Sequence, residues 1–209
     1  MVKLYYDRLK ERVRAVKAAK DRQRDALALL DAIDVTQHIA DVYRPLHEDI
    51  TAAAHTTYNL PGGRGSCKSS FVSLEIVNGI MKDTTGHSNA IVFRLYGNTL
   101  RESVFSQIAW AIDTLGVNHL WKSRLSPMQW TYTPTGAQII FRGLDDPSKL
   151  KSIKPTRGVF RYIWFEEFSE LPGPNFTRNV MQSVQRGGDT FTVFRSFNPP
   201  ISANNWASV

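Results

Sequence analysis

The residues of this chain best suited to chemistry lie in the stretch PGGRGSCKSS, residues 61–70. Lys68 and Ser69 follow a turn built from Gly62, Gly63 and Gly65, with Ser66 and Cys67 completing it. A glycine-rich turn between a strand and a helix can wrap phosphate oxygens with backbone N–H groups, provided no side chain stands in the way. In that arrangement Lys68 neutralises β- and γ-phosphates, and the Ser69 hydroxyl ligates the magnesium ion bridging them. Gly62 lies six residues before the lysine, as the pattern G-x-x-x-x-G-K-[S/T] requires, but Cys67 stands where its second glycine belongs. That glycine often has positive φ, which costs another residue about 1–2 kcal/mol, and a Cβ there crowds a nucleotide. Ordinary glycine-rich turns share the same composition.

A second cluster is RYIWFEEFSEL, residues 161–171. Four mostly apolar residues, Tyr162 to Phe165, run straight into two carboxylates. This is the layout of a Walker B strand. Glu166 would hold the magnesium through its water shell, and Glu167 would act as general base on the attacking water. A strand meeting a solvated acidic turn reads the same way. The two clusters lie about a hundred residues apart with strands and helices between them, and each strengthens the other.

These groups need a strand, loop and helix in succession, and the chain supplies that pattern. A short apolar segment at Tyr58 to Pro61 precedes the glycine turn, and Phe71, Val72, Leu74, Ile76, Val77 and Ile80 after it predict a buried helix. Ala90 to Leu95 reads as a strand and Leu100 to Leu115 as a helix. Gln129 to Thr133 and Ala137 to Gly143 flank Pro134-Thr-Gly136 and predict a hairpin. Leu144 to Gly158, with Pro147, Lys149, Lys151, Lys154, Pro155 and Arg157, predicts an exposed basic loop. Val159 to Phe165 then reads as a strand, Asn175 to Arg186 as a helix, and Thr190 to Phe197 as a strand closing on Asn198-Pro-Pro. The alternation predicts an α/β fold with a mostly parallel sheet. Ahead of it, Leu4 to about Ile33 predicts a long basic helix, read either as a solvated surface helix or as a DNA or partner contact.

With 209 residues and 42% hydrophobic content, one sizeable core is expected. The net charge of +7 favours a polyanionic partner. A single cysteine, Cys67, excludes an intramolecular disulfide, and no Cys/His cluster has zinc-ligand spacing. No apolar run is long enough to span a bilayer and no signal-peptide core opens the chain, so an intracellular protein without membrane contact is expected.

The blocks NLPGGRGSCKSS, NTLRESVFSQIAWAI, FRGLDDPSKLKSIK, WFEEFSEL and SFNPP, spanning about Tyr58 to Pro200, resemble successive blocks of phage large terminases. The middle blocks would not be shared with a generic P-loop ATPase. The resemblance implies the additional-strand, catalytic-glutamate P-loop class, with ATP and Mg²⁺ as cofactors. It implies a helical or lid region over residues 1–50, an ATPase core over 51–200, and the start of a linker to an absent C-terminal nuclease domain over 201–209. It further implies a motor powering translocation of double-stranded DNA into the procapsid, as a homo-oligomeric ring on the portal protein, with the small terminase subunit as partner. The cytoplasm of the infected bacterial host would be its location. Gly62, Gly63, Gly65, Ser66, Cys67, Lys68 and Ser69 would hold nucleotide. Arg64 would reach the γ-phosphate within the same subunit, and Arg157 would act on a neighbour's site, or else be a DNA-facing or exposed arginine. Asn198, in Ser196-Phe-Asn, matches the coupling motif that senses γ-phosphate, although it would also serve as a cap before two prolines. Tyr43 to Pro45 bears a loose likeness to the family's base-binding segment. Hydrolysis of ATP without cutting of DNA is the expected activity; the alternative is a nucleotide- and DNA-binding assembly module with little or no turnover.

Overall fold

A computed structural model describes residues 2–30, 33–146, 153–199 and 205–208. The elements in chain order are α1 (Val2–Leu30), α2 (Arg44–Thr51), β1 (Thr57–Pro61), α3 (Lys68–Lys82), β2 (Ser88–Arg94), α4 (Ser106–Thr114), β3 (Trp121–Leu125), β4 (Met128–Tyr132), β5 (Gln138–Gly143), β6 (Val159–Glu166), α5 (Pro174–Val184) and β7 (Thr192–Phe197). Among the described residues seven strands form one sheet in the order β1-β7-β6-β2-β5-β4-β3. The first five in that order are parallel, whereas β4 and β3 are antiparallel additions. One strand, β7, separates the strand feeding the glycine turn from the strand that leads into the two glutamates. This is the additional-strand arrangement expected from the resemblance.

Strands buried on both faces read as continuous apolar runs, and β2 and β6 do so because helices cover both sides. On one face α3 and α4 bury Phe71, Leu74, Ile76, Ile80, Ile108 and Ile112 against Ala90, Val92, Trp164 and Phe194. On the other, Val180 and Val184 of α5, with Phe168 and Leu171, cover Ile91, Phe93, Ile163, Phe165 and Val193. Alternate residues of one strand therefore serve two separate apolar layers, as the pleat dictates. The strands' N-terminal ends are fastened by buried Asn89, whose amide nitrogen donates to the carbonyls of Arg157 (2.7 Å) and His87 (3.1 Å) while its oxygen accepts from the Gln138 N–H at 2.8 Å.

Several boundaries depart from the sequence reading. The helix expected over Leu100 to Leu115 begins as a π-helical stretch, Arg101–Phe105, before α4. Strand β3 went unrecognised because only Trp121 of its five residues is buried, so no apolar alternation marks it. Leu4, Tyr5, Tyr6, Leu9, Val13 and Val16 of α1 have helical spacing yet are exposed. In the expected basic loop, residues 144–146 and 153–158 are outside helices and strands, while Pro147, Lys149 and Lys151 fall outside the described residues. Of the expected linker start, 201–204 and 209 also fall outside them, and Trp206 packs on Phe168 with ring centroids 4.8 Å apart. Among the described residues no helix is long and apolar enough to cross a membrane.

Inside the sheet, the Trp164 indole N–H donates to Ser196 Oγ at 2.8 Å, joining β6 to β7 where neither side chain reaches solvent. Ser196→Ala would orphan a buried donor, a loss of about 1–3 kcal/mol. Urea unfolding is expected to show that loss in the native background and well under half of it in a Trp164→Phe background.

Candidate functional site at the carboxyl edge of the sheet

Register decides which residues meet. Pro61 of β1 pairs with Phe197 of β7, and Ser196 pairs with Glu166 of β6. Phe93 of β2 pairs with Phe165. The chain therefore leaves β1 at Gly62, β7 at Asn198, β6 at Glu167 and β2 near Arg94 along one edge of the sheet. This carboxyl edge is where open parallel sheets bind their ligands. The Gly62 N–H donates to the Phe197 carbonyl at 3.0 Å, extending the β1–β7 pairing into the glycine turn.

Each glycine in the turn has its own reason. A Cβ on Gly62 would come within 2.6 Å of Ser66 Oγ, so that position requires its absence. Gly65 has φ +79°, while a Cβ on Gly63 or Gly65 would meet nothing within 4 Å. Cys67 caps α3 with φ 59° and ψ 12°, the left-handed conformation anticipated for the missing glycine. Its carbonyl accepts from the Phe71 N–H at 2.9 Å, the first bond of the helix. Ser66 Oγ is buried without a hydrogen-bond partner among the described residues. Ser69 is half-buried in the first turn of α3, and Arg64 is exposed at the tip of the loop.

Lys68 is buried, and its ammonium donates to the Gly62 carbonyl (2.9 Å), the Gly63 carbonyl (3.3 Å) and Asn198 Oδ1 (3.0 Å). All three donors are thus satisfied by chain atoms. Lys68 and Asn198, 130 residues apart, are brought into direct contact. Glu166 and Glu167 sit at the end of β6 and just beyond it, and Glu167 has φ 53° and ψ 49°. Of the three positive-φ non-glycine residues among those described, two, Cys67 and Glu167, therefore lie in this site. Such conformations cost about 1–3 kcal/mol and cluster at functional sites.

Arg94 was not singled out from the sequence. Its Nε lies 2.8 Å from Glu166 Oε2, with both side chains largely buried. Neither atom makes an aligned hydrogen bond, so the contact is an ion pair held by charge rather than by a directed N–H···O bond. Burial pushes the Glu166 carboxyl up to about 7; Arg94 and Lys68 oppose the rise, while Glu167 and Glu170 add to it. An arginine closing the apolar run Ala90 to Phe93 was the available signal. Arg157, by contrast, is exposed just before β6, at the opposite end of that strand from Glu166. Within one chain it does not join the other site residues.

The donors suit a magnesium–phosphate pair. Glu166 offers a buried carboxylate oxygen without an aligned hydrogen bond, and Ser69 carries a hydroxyl in the first turn of α3, directly after Lys68. Among the described residues no group of three or more His, Cys, Asp or Glu could hold a metal alone. Magnesium is ordinarily bound by one or two carboxylates together with substrate phosphates, and this set has that character.

A family model described as phage terminase large subunit matches residues 54–208. The large terminase subunit of Bacillus phage SPP1 is 38% identical over 177 residues, covering 83% of this chain and 40% of that protein. The PBSX phage terminase large subunit of Bacillus subtilis strain 168 is 35% identical over 163 residues, covering 78% and 35%. The chain thus spans well under half the length of these curated relatives. Among solved structures, the large terminase of a thermophilic bacteriophage has a TM-score of 0.60 at 14% identity, covering 88% of this chain and 40% of that one. A crystal form of the same protein with ADP gives 0.55, also at 14% identity, covering 70% and 34%. The large terminase ATPase domain of a Thermus phage gives 0.52 at 15% identity, covering 75% and 65%. At such identities the structures speak to the fold, and the sequence matches speak to ancestry. On both, this chain belongs to the phage terminase large subunit family.

Proposed function

We propose that the chain hydrolyses ATP as the motor domain of a large terminase, driving double-stranded DNA into a procapsid. The observation carrying this reading is the convergence of Lys68, Asn198, Glu166 and Glu167 on one sheet edge, with β7 between the two motif strands. The thermophilic-phage terminase solved with ADP supports a nucleotide as the ligand. The roles follow from the groups. Lys68 would exchange its three chain acceptors for β- and γ-phosphate oxygens. Backbone N–H groups from Gly62 to Ser69 would line the phosphates, and the Ser69 hydroxyl and Glu166 would hold Mg²⁺. The ion would supply charge neutralisation between the β- and γ-phosphates. Glu167 would accept a proton from the attacking water as its oxygen bonds to the γ-phosphorus and ADP leaves. Arg64 would stabilise charge on the transferring phosphoryl group in the same subunit. Asn198, bonded to Lys68, would exchange that bond when γ-phosphate arrives. Arg157 would act on a neighbouring copy's site in a ring on the portal, or else face DNA or solvent; the DNA, the portal protein, the small subunit and a host-cytoplasm setting belong to the same proposal.

The second reading is a nucleotide- and DNA-binding assembly module with little turnover, favoured by the strained Cys67 and by the Arg94–Glu166 pair that magnesium must disturb. Magnesium-dependent ATP hydrolysis separates the two, measured with and without double-stranded DNA at concentrations permitting assembly. Turnover is expected to fall about 10²–10⁴-fold in Glu167→Gln, the usual worth of a positioned general base, with nucleotide still bound. Lys68→Ala is expected to lose both binding and turnover. Bound nucleotide with no hydrolysis sensitive to Glu167→Gln would move the assignment to the binding module.

A pH dependence follows from Glu166. Its folded value of about 7 exceeds the ordinary glutamate value of 4.5, so between them the folded chain holds more protons than the unfolded one. Stability therefore falls as pH rises through that window. Unfolding free energies from urea titrations at about pH 5 and about pH 8 are expected to differ more for the native chain than for Glu166→Gln, by about 1–3 kcal/mol. Magnesium-dependent turnover should move the other way and decline below about pH 7, where the carboxyl is protonated and cannot ligate the ion.

A further inference from the structure

Cys67 adopts a conformation that disfavours any residue but glycine, and a side chain from outside the loop meets the peptide that sets it. The φ angle of Cys67 describes how the planar Ser66–Cys67 peptide is rotated relative to the start of α3. The Tyr43 hydroxyl donates to the Ser66 carbonyl of that peptide at 2.8 Å. Because a trans peptide directs C=O and N–H oppositely, fixing the carbonyl toward Tyr43 directs the Cys67 N–H away from it. The same tyrosine ring stacks on Phe71, with centroids 4.6 Å apart and planes 11° from parallel. Phe71 is fully buried and its N–H donates to the Cys67 carbonyl at 2.9 Å. One side chain therefore grips the peptide before Cys67 and the helical turn after it.

Tyr43 is itself held. Its N–H donates to the Ala40 carbonyl at 2.8 Å, and it caps α2. Helix α2 is tied to α3 one turn beyond Phe71, where His47 Nδ1 and Glu75 Oε1 lie 2.5 Å apart. Burial raises the Tyr43 phenol above its ordinary value, so it remains a donor at neutral pH.

We propose that Tyr43 is a positioning residue that compensates for the missing glycine, holding Cys67 in the left-handed conformation that a phosphate-binding turn needs. This rests on the nucleotide-site reading above. The hydroxyl performs the task, and the ring anchors it. Apparent affinity scales with the fraction of molecules in the competent conformation. In a loop with Cys67 the conformation is strained and the hydroxyl decides how often it is populated; with glycine at 67 little strain remains for it to offset.

The test is a double-mutant cycle of the native chain, Tyr43→Phe, Cys67→Gly and the double variant, using Mg·ADP binding by calorimetry. Phenylalanine keeps the stacked ring, so the fold is expected to survive, as thermal unfolding would verify. Tyr43→Phe should weaken Mg·ADP about fivefold in the native background and less than about twofold beside Cys67→Gly. Cys67→Ala, strained like cysteine, should behave as the native residue does. Equal weakening in both backgrounds, or none, overturns the proposal. A second readout needs no nucleotide: amide hydrogen exchange over residues 62–69 should quicken in Tyr43→Phe and return toward the native rate in the double variant. If the native chain fails to bind Mg·ADP, the nucleotide reading falls, and the exchange rates alone then judge the clamp, with unchanged rates rejecting it.

Discussion

The parallel register across β1, β7, β6 and β2 is the constraint on which the rest depends. Its effect is geometric: pairings such as Pro61 with Phe197 and Ser196 with Glu166 bring four chain exits to one edge of the sheet. Slipping one strand by a residue would turn its side chains to the opposite face and separate groups that now touch. Two buried apolar layers oppose such a slip, because β2, β6 and β7 each feed both of them. The Trp164–Ser196 bond adds a polar check, since an indole N–H displaced from its acceptor has no water to turn to. Packing energy spread over the whole domain thus fixes the positions of a few polar atoms.

Those atoms are already engaged with one another. Lys68 is satisfied by two loop carbonyls and Asn198, and Glu166 faces Arg94. A buried charge without a partner would be costly, so such pairing is what lets a cationic and an acidic group share a desolvated edge. It also defines what a ligand must offer. Anything displacing Asn198 from Lys68 has to supply negative oxygens, and anything drawing Glu166 from Arg94 has to supply positive charge. A phosphate with its divalent cation offers both together, which is a chemical reason to prefer that ligand over a simple anion.

Motif residues and inner strands were legible in the sequence because each has a local signature. Glycine spacing marked the turn around Lys68, and the apolar run into two glutamates marked β6. The left-handed Cys67 was foreseeable from its place in the pattern. Arg94, His47 and Glu75 were not read as site-shaping, and Tyr43 was read only as part of a loose likeness to a base-binding segment, since their significance lies in contacts 23 to 72 residues away that no local periodicity encodes. Strand β3 was missed because four of its five residues face solvent and pairing with β4 alone makes it a strand. Arg157 illustrates the opposite case. It was read as acting on a neighbour's site or as DNA-facing or exposed, and it lies exposed just before β6, at the far end of that strand from Glu166.

Asn198 and Phe168 suggest how events at this edge could reach the rest of the domain. Asn198 follows the last residue of β7 directly, so a change in its bond to Lys68 acts on the end of a central strand. Phe168 follows Glu167 and meets Phe197 of that strand, Trp206 near the chain's end and the Arg195 guanidinium 4.9 Å above its ring. The strained Glu167 backbone thus leads into an aromatic cluster shared with β7. Close-packed aromatic groups shift as units rather than deform. A rearrangement at either glutamate would consequently be felt by β7 and by the segment around Trp206, whose indole donates to the Leu171 carbonyl at 2.9 Å. The chemistry and the segment around Trp206 are therefore separated by one layer of packed rings.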